Sequence, residues 1–337
     1  MDDNNSDDLP PHSRLSAGCK LCYEGAKLVL FLTGVCPRDC WYCPLSQERK
    51  DKDLIYANEH KVSSPEEMVS VAHRMSALGT GITGGEPFLF LERLVQYAGA
   101  LKREFGPSHQ IHIYTGMAPD VDTLRKIQGL VDEIRFHPPN EIWNDILNTP
   151  FFTSIAKAKE LGFDVGIEVP SLPLMEKLIP ILPYLDFLNI NELEWGDSNA
   201  DAMRVRGHLL RGDVSNAVKG GHDNAKPLLN HPKVHWCSSD FKDRVQLRRR
   251  LIRIASNTAR EFDEITEDGT ILYGVWECDG RDEIIPGEPD ENLFERFDDR
   301  IETGWWVLED IADLIEGKAY YIERYPDRGI IIEVTPV

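Results

Sequence analysis

Cys36-Pro37-Arg38-Asp39-Cys40-Trp41-Tyr42-Cys43-Pro44 is the stretch on which the reading of this 337-residue chain turns. Its spacing is C-x3-C-x2-C, and it follows the apolar run at 28–33. Positions i, i+4 and i+7 also share one face of a helix, so the three thiols could pack there for volume alone. Pro37 and Pro44 bracket the run and disfavour a regular helix. The clustered spacing points instead to metal binding. Three thiolates are too few for a closed zinc site or a fully ligated cubane, which take four. A [4Fe–4S] cluster held by three cysteines leaves one iron with an open position. A small molecule carrying an amine and a carboxylate can chelate that iron.

Outward from this loop, between about 27 and 197, short apolar runs alternate with helical stretches. The strand candidates are 28–33, 80–83, 111–115, 133–136, 164–169 and 187–191. They are rich in Val, Ile, Leu and Phe, as strands of a parallel sheet buried on both faces are. Helices are expected from Ser64-Pro65-Glu66-Glu67, an N-cap with an early proline and acids, and over 91–105, 120–127, 152–161 and 174–182. Repeated strand–helix units with right-handed crossovers build a parallel sheet or barrel. Six such units fall short of the eight of a closed barrel. The fold class expected is therefore α/β, a partial (β/α)6 barrel open on one side, with a C-terminal α+β extension. The divisions expected are a flexible acidic tail at 1–17, the barrel with its N-terminal C-x2-C at 18–197, and a substrate or accessory region at 198–337.

A second motif, Gly84-Gly85-Glu86-Pro87, follows the second strand candidate. On its own it is a turn. Its glycines would let backbone approach a ligand closely, and Glu86 could accept a charge-assisted hydrogen bond from an ammonium group. Active sites of strand–helix barrels lie at the carboxyl ends of the strands. The residues expected there are Thr115 and Gly116, Arg135 and His137, Glu168, and Asn189, Asn191, Glu192 and Glu194. Each could equally be a satisfied polar residue at a strand–loop junction.

The cysteine motif with its aromatic, Cys36, Cys40, Tyr42 and Cys43, after the first strand of such a series, resembles the signature of the radical S-adenosylmethionine (SAM) superfamily. The resemblance implies a partial (β/α)6 barrel, a [4Fe–4S] cluster on Cys36, Cys40 and Cys43, and reductive cleavage of SAM to methionine and a 5′-deoxyadenosyl radical that abstracts hydrogen from a substrate. It implies that Gly84-Gly85-Glu86-Pro87 binds the SAM amino group and that the backbone of Tyr42 meets the adenine. Contacts to ribose, carboxylate and adenine are implied on the later strands, where Thr115, His137, Glu168 and Asn191 are the candidates. It also implies a low-potential electron donor of ferredoxin or flavodoxin type. More narrowly, residues 34–50, the Gly84–Pro87 motif and residues 237–243 resemble an archaeal group described as related to pyruvate formate-lyase activating enzyme. Glycyl-radical activation of a protein, or modification of a peptide, a tRNA or a small metabolite, are the outcomes that follow.

Seven cysteines, an odd count with five clustered, do not form a disulfide framework. Cys19, Cys22 and Cys237 are the candidates for a second Fe–S cluster or a zinc ion, against the simpler reading of buried small hydrophobes. The net charge of −20 argues against broad binding to nucleic acid or anionic membranes. The longest apolar run is far short of a membrane span, and the acidic N-terminus lacks the form of a secretory signal, so a cytoplasmic protein is expected. Five arginines between 244 and 253 read as a solvated helix face. Two other functions compete: a non-catalytic Fe–S electron carrier or sensor, and a zinc-stabilised nucleic-acid-binding module. An electron carrier has no use for a site that grips a methionine amine.

Overall fold

The computed structural model describes residues 15–212, 215–279 and 283–337. Most of the expected acidic tail, 1–14, lies outside them. The expected boundary at 17 moves, because Leu15 is buried and α1 (Ala17–Tyr23) is already helical, with the Ser16 side chain accepting from Cys19 N. Two compact units follow: residues up to 73 with 77–246, and residues 74–76 with 247–337.

The first unit carries strands β1 (Lys27–Phe31), β2 (Ile55–Ala57), β3 (His60–Val62), β4 (Gly79–Thr83), β5 (Gln110–Thr115), β6 (Glu133–Phe136), β7 (Asp164–Pro170), β8 (Phe187–Asn191), β9 (Leu210–Gly212), β10 (Ser215–Val218) and β11 (Val234–Cys237). Nine of them form one open sheet, ordered β11-β8-β7-β6-β5-β4-β1-β2-β3. From β1 through β4 to β8 and on to β11, neighbouring strands are parallel. That makes seven parallel strands where six were expected. The seventh, Val-His-Trp-Cys, lies beyond the stretch 27–197 in which the strand–helix alternation is read, and it joins the sheet by pairing with β8. It carries the first unit to 246, so the expected division at 197/198 falls inside the sheet.

Helices cross between the strands: α2 (Pro65–Arg74), α3 (Leu91–Phe105), α4 (Val121–Ile127) and α5 (Pro150–Glu160). Their starts follow the expected chemistry. Glu67 N donates to Ser64 Oγ, and Thr123 N donates to the Asp120 carboxylate. The segment expected as a helix at 174–182 is a 3₁₀ helix, Met175–Tyr184, because Pro180 and Pro183 remove donors that an α-helix needs. After β8 come α6 (Ala200–Val205), α7 (Gly221–Ala225) and α8 (Ser239–Phe241).

The pairing register sorts the parallel strands into two faces. Leu28, Leu30, Ile82, Ile111, Ile113, Ile134, Ile167 and Ile190 occupy one face and are fully buried. Each such side chain is worth about 1.5–3 kcal/mol over leaving it exposed. The other face aligns Gly81 with His112 and Glu133, Tyr114 with Arg135, and Glu168 with Asn189 and His235. It is polar yet buried, whereas the sequence suggested two apolar faces. This face leads to the site.

The second unit is an antiparallel sheet, ordered β14-β15-β13-β16-β17 with β12 on β13: β12 (Glu264–Ile265), β13 (Ile271–Glu277), β14 (Phe294–Arg296), β15 (Arg300–Thr303), β16 (Lys318–Arg324) and β17 (Ile331–Pro336). The last two form a terminal hairpin. The arginine-rich helix is α9 (Arg248–Thr258). It stops before Phe262, and its Arg248 donates to the Glu267 carbonyl. Leu308 of α10 (Trp305–Ile311) packs with Trp276, Ile285, Ile301 and Ile311.

Candidate active site

At the carboxyl ends of the parallel strands lies a cavity of about 300 Å³, lined by Cys36, Cys40 and Cys43 after β1, Gly84 and Gly85 after β4, and Thr115, His137, Pro170 and Asn191 at the ends of β5 to β8. The two motifs read from the sequence meet here. Gly85 N donates to Thr33 O (2.7 Å) and Glu86 N to Val35 O (2.8 Å), so the glycine loop is laced to the backbone that begins the cysteine loop. Gly84 has φ +137°, and a Cβ there would sit 2.2 Å from Thr33 O; at Gly85 it would sit 2.2 Å from Val35 O. No other residue fits either place. The close approach expected toward a ligand is thus made first toward the neighbouring loop.

Glu86 stands behind the lining, with no exposed surface. Its Oε1 accepts from Phe88 N (3.1 Å) and Thr115 Oγ1 (2.9 Å), and its Oε2 from Gly116 N (2.7 Å). A carboxylate offers about four acceptor sites, so three bonds leave one on Oε2. Burial pushes its carboxyl above the usual carboxylate range, against the pull of these donors and of Arg38. Pro87 opens the 3₁₀ turn Pro87–Phe90 that Glu86 caps.

Tyr42 is fixed from three sides. Its ring lies 5.3 Å from Trp41. Its carbonyl accepts from Asn199 Nδ2 (3.1 Å), and its hydroxyl meets His137 Nε2 (2.9 Å). His137 Nδ1 faces the Glu168 carbonyl at 2.8 Å. A carbonyl only accepts, so the proton sits on Nδ1 and Nε2 accepts from Tyr42. Burial and the Arg38 charge lower the His137 pKa to about 4, which keeps the ring neutral. Arg38 donates to the Gly116 (3.3 Å) and His137 (2.6 Å) carbonyls, joining the cysteine loop to β5 and β6. Glu168 also lies behind the lining. It accepts from Arg135 Nη1 and Asn189 Nδ2, both at 2.8 Å, and holds Asn191 Nδ2 at 2.9 Å. Burial acts to raise its pKa, but Arg135 and the two amides hold it below the usual value.

Of the residues expected to bind cofactor, Tyr42, Gly84, Gly85, Thr115, His137 and Asn191 line the cavity, while Glu86, Pro87 and Glu168 support those that do. Sequence reasoning missed Arg38, Asn199 and Lys242. Lys242 lines the cavity from the turn after α8 and pairs with Glu194 at 3.0 Å. Arg38 carried a signal, as the one cation inside the cysteine motif, and Lys242 lay within the 237–243 stretch. The donor set suits a [4Fe–4S] cluster: three thiols of one loop face one cavity beside glycine backbone. Among the described residues no three His, Cys, Asp or Glu side chains are gathered as a single ion requires. A cubane takes one thiolate per iron and so keeps its ligands apart.

Residues 23–137 match the family model described as a 4Fe-4S single cluster domain. A protein of Methanocaldococcus jannaschii that carries the provisional name glycyl-radical enzyme activating enzyme is 37% identical over 341 residues, covering 93% of this chain and 90% of the relative. The chain belongs to the radical SAM superfamily. Its cofactors are a [4Fe–4S] cluster and SAM, and it is an enzyme. Among solved structures, Streptococcus suis SuiB bound to SAM is similar over 65% of this chain and 53% of its own, so this chain spans about half of it, at 13% identity and a TM-score of 0.42. The radical SAM methyltransferase TsrM of Kitasatospora setae is similar over 53% of this chain and 39% of its own, at 9% identity and a TM-score of 0.36. Residues 269–337 match a family model described only as a domain of unknown function. No helix among the described residues is long and apolar enough to cross a membrane.

Of the remaining cysteines of the radical SAM unit, Cys19 and Cys22 belong to α1, packed toward the amino ends of the same sheet face, and Cys237 ends β11, paired with Asn191 at the carboxyl end of β8. The Cys19 thiol accepts from Arg135 Nη2 (3.4 Å) and Asn189 Nδ2 (3.3 Å). Arg135 also pairs with Glu133 at 2.6 Å, and Gly18 N donates to Glu133 Oε2. Burial raises Cys19, pushes Cys22 up to about 11 and pushes Cys237 up to about 12. Among the described residues Cys19, Cys22 and Cys237 are not gathered as a single ion such as zinc requires. Cys19 is instead built into a buried hydrogen-bond network. Cys278 belongs to the second unit.

Proposed function

We propose that this radical SAM enzyme activates a protein partner by removing a hydrogen atom from the Cα of one of its glycines, with Cys36, Cys40 and Cys43 as cluster ligands. The near-full-length likeness to a relative named for glycyl-radical enzyme activation carries the reading, and the single cavity joining both motifs supports it. The bound cluster and SAM supply reductive cleavage to methionine and a 5′-deoxyadenosyl radical that takes the hydrogen atom. The chain supplies position. Gly84 and Gly85 offer backbone to the methionyl group of SAM. Glu86, held by Thr115 and Gly116, keeps that backbone in place and keeps one acceptor site for an ammonium. Tyr42, fixed by His137 and Asn199, presents its backbone to the adenine, and Asn191, set by Glu168, offers an amide. Leu45, Pro170 and Leu193 also line the cavity and exclude water from the reacting carbon. The open parallel sheet is read as a partial barrel, and the second unit as the accessory part that recognises the partner. A low-potential donor delivers the electron.

Anaerobic, reduced enzyme with SAM is to be mixed with desalted proteins from its own cells grown on α-deuterated glycine. Deuterium is expected in the 5′-deoxyadenosine formed, with a new organic-radical signal on protein. Deuterium-free 5′-deoxyadenosine, formed only when the small-molecule or RNA fraction is added, overturns the protein substrate.

A further inference from the structure

Among the described residues three cations line the cavity, and two of them have an acid within ion-pair reach. Lys242 meets Glu194 at 3.0 Å, and Lys50 meets Asp39 at 3.4 Å. Arg38 bonds only to carbonyls: its Nη1 donates to Gly116 O (3.3 Å) and His137 O (2.6 Å). A carbonyl orients a guanidinium without neutralising it, and arginine keeps its charge at every pH a protein meets. This charge stands two residues after Cys36 and two before Cys40. Burial pushes the Cys36 thiol up, while a hydrogen bond from the Arg38 N–H and the Arg38 charge draw it down. Gly116 makes room for the side chain, since a Cβ there would sit 3.1 Å from both Arg38 Cδ and Nη1 and press on the guanidinium. A full positive charge is thus tied down between the cysteine loop and the ends of β5 and β6, beside the cavity and with no acid to cancel it.

We propose that Arg38 sets the reduction potential of the cluster held by Cys36, Cys40 and Cys43, its fixed and uncancelled charge easing the entry of the electron. The inference rests on the radical SAM reading and goes beyond it by giving a residue between two cluster ligands a task of its own. One electron leaves the external donor, which is oxidised, and enters the cluster, which is reduced; no bond forms or breaks. The cluster and its thiolates then carry one more negative charge. A cation close by in a half-buried site lowers the cost of that charge, and net charge around a cluster is one of the settings of its potential. The two carbonyl bonds hold the guanidinium in place beforehand, so nothing has to reorganise when the electron arrives.

The test is an anaerobic redox titration of the cluster-loaded full chain, without SAM, followed by the electron paramagnetic resonance signal of the reduced cluster. Arg38→Gln and Arg38→Met remove the charge, and Arg38→Lys keeps it. Iron and sulfide counts accompany each titration. In the neutral variants the cluster is expected to be about tenfold harder to reduce at a given donor potential, a midpoint about 59 mV more negative for one electron. Arg38→Lys is expected to recover most of that shift. A midpoint equal to wild type in a neutral variant that holds its full iron overturns the proposal. So does an Arg38→Lys midpoint as negative as that of Arg38→Gln, which would make the guanidinium's bonds, not its charge, the cause. Loss of iron from both neutral variants overturns it as well, because Arg38 would then build the loop and not tune the cluster. Failure of the radical SAM reading is distinct, since reduced wild type would then give no 5′-deoxyadenosine with SAM.

Discussion

The two ends of one sheet face hold the same kinds of side chain and do opposite things. At the carboxyl ends, thiols, a histidine, a carboxylate and an arginine surround open space. At the amino ends Arg135, Glu133 and Cys19 fill the space themselves, with α1 pressed among them. Both regions are buried and polar, and both carry cysteines. What separates them is whether the polar atoms have spent their bonds on one another. Arg135 reaches Glu133, Glu168, Tyr114, Ser16 and Cys19, whereas the Cys36, Cys40 and Cys43 thiols face a cavity beside backbone glycines. Composition alone does not tell a site from a stopper; the state of the hydrogen bonds does.

The sharpest way to break this contrast is to remove one thiol from each end. Cys36→Ala is expected to abolish cluster iron and 5′-deoxyadenosine formation, while Cys19→Ala keeps wild-type iron and sulfide counts and loses only stability. Equal loss of iron in both would place a cluster at the amino ends as well. Next in size is Arg135→Met. Breaking a buried ion pair on one side leaves Glu133 and Glu168 as uncompensated charges, which costs about 3–5 kcal/mol. Denaturant titration should show that loss, and an unchanged midpoint would mean the network is not the brace described. The smallest effect is on pH dependence. Burial lowers Lys27, which bonds Gln110 at the amino end of this face, from 10.5 to about 7. Between those values the unfolded chain binds the extra proton, so stability rises with pH across that window and falls as pH drops toward 7. The contribution amounts to at most about 1.4 kcal/mol per pH unit. In Lys27→Met that slope should vanish from stability curves measured between pH 7 and 10; an identical slope would mean that Lys27 stays charged in the fold.

Six strands, the cap at Ser64 and both motifs were legible because each is local: apolar runs, turn chemistry and cysteine spacing lie within a few residues. The seventh strand was not, since residues 234–237 follow a long mixed segment with no strand–helix alternation and gain their place by pairing with β8. Nor was the polar face. His112, Glu133, Arg135 and Asn189 alternate with Ile and Leu in short strands, and alternation says which side a residue faces, not what it meets there. Arg38 finds the His137 carbonyl 99 residues away, and Asn199 finds the Tyr42 carbonyl 157 away. Such partners are set by topology. Glu86 shows the same limit from another angle: the motif singled it out, but its bonds to Thr115 and Gly116 belong to the assembled sheet.

The wedge of Gly84 and Gly85 against Thr33 and Val35 has a practical meaning for protein engineers. The cysteine segment and the glycine segment behave as a single machined part, cut from two places in the chain. Anyone grafting the thiols onto another scaffold must transplant residues 84–86 with them, in the same registration, or the graft will carry a cage without its door.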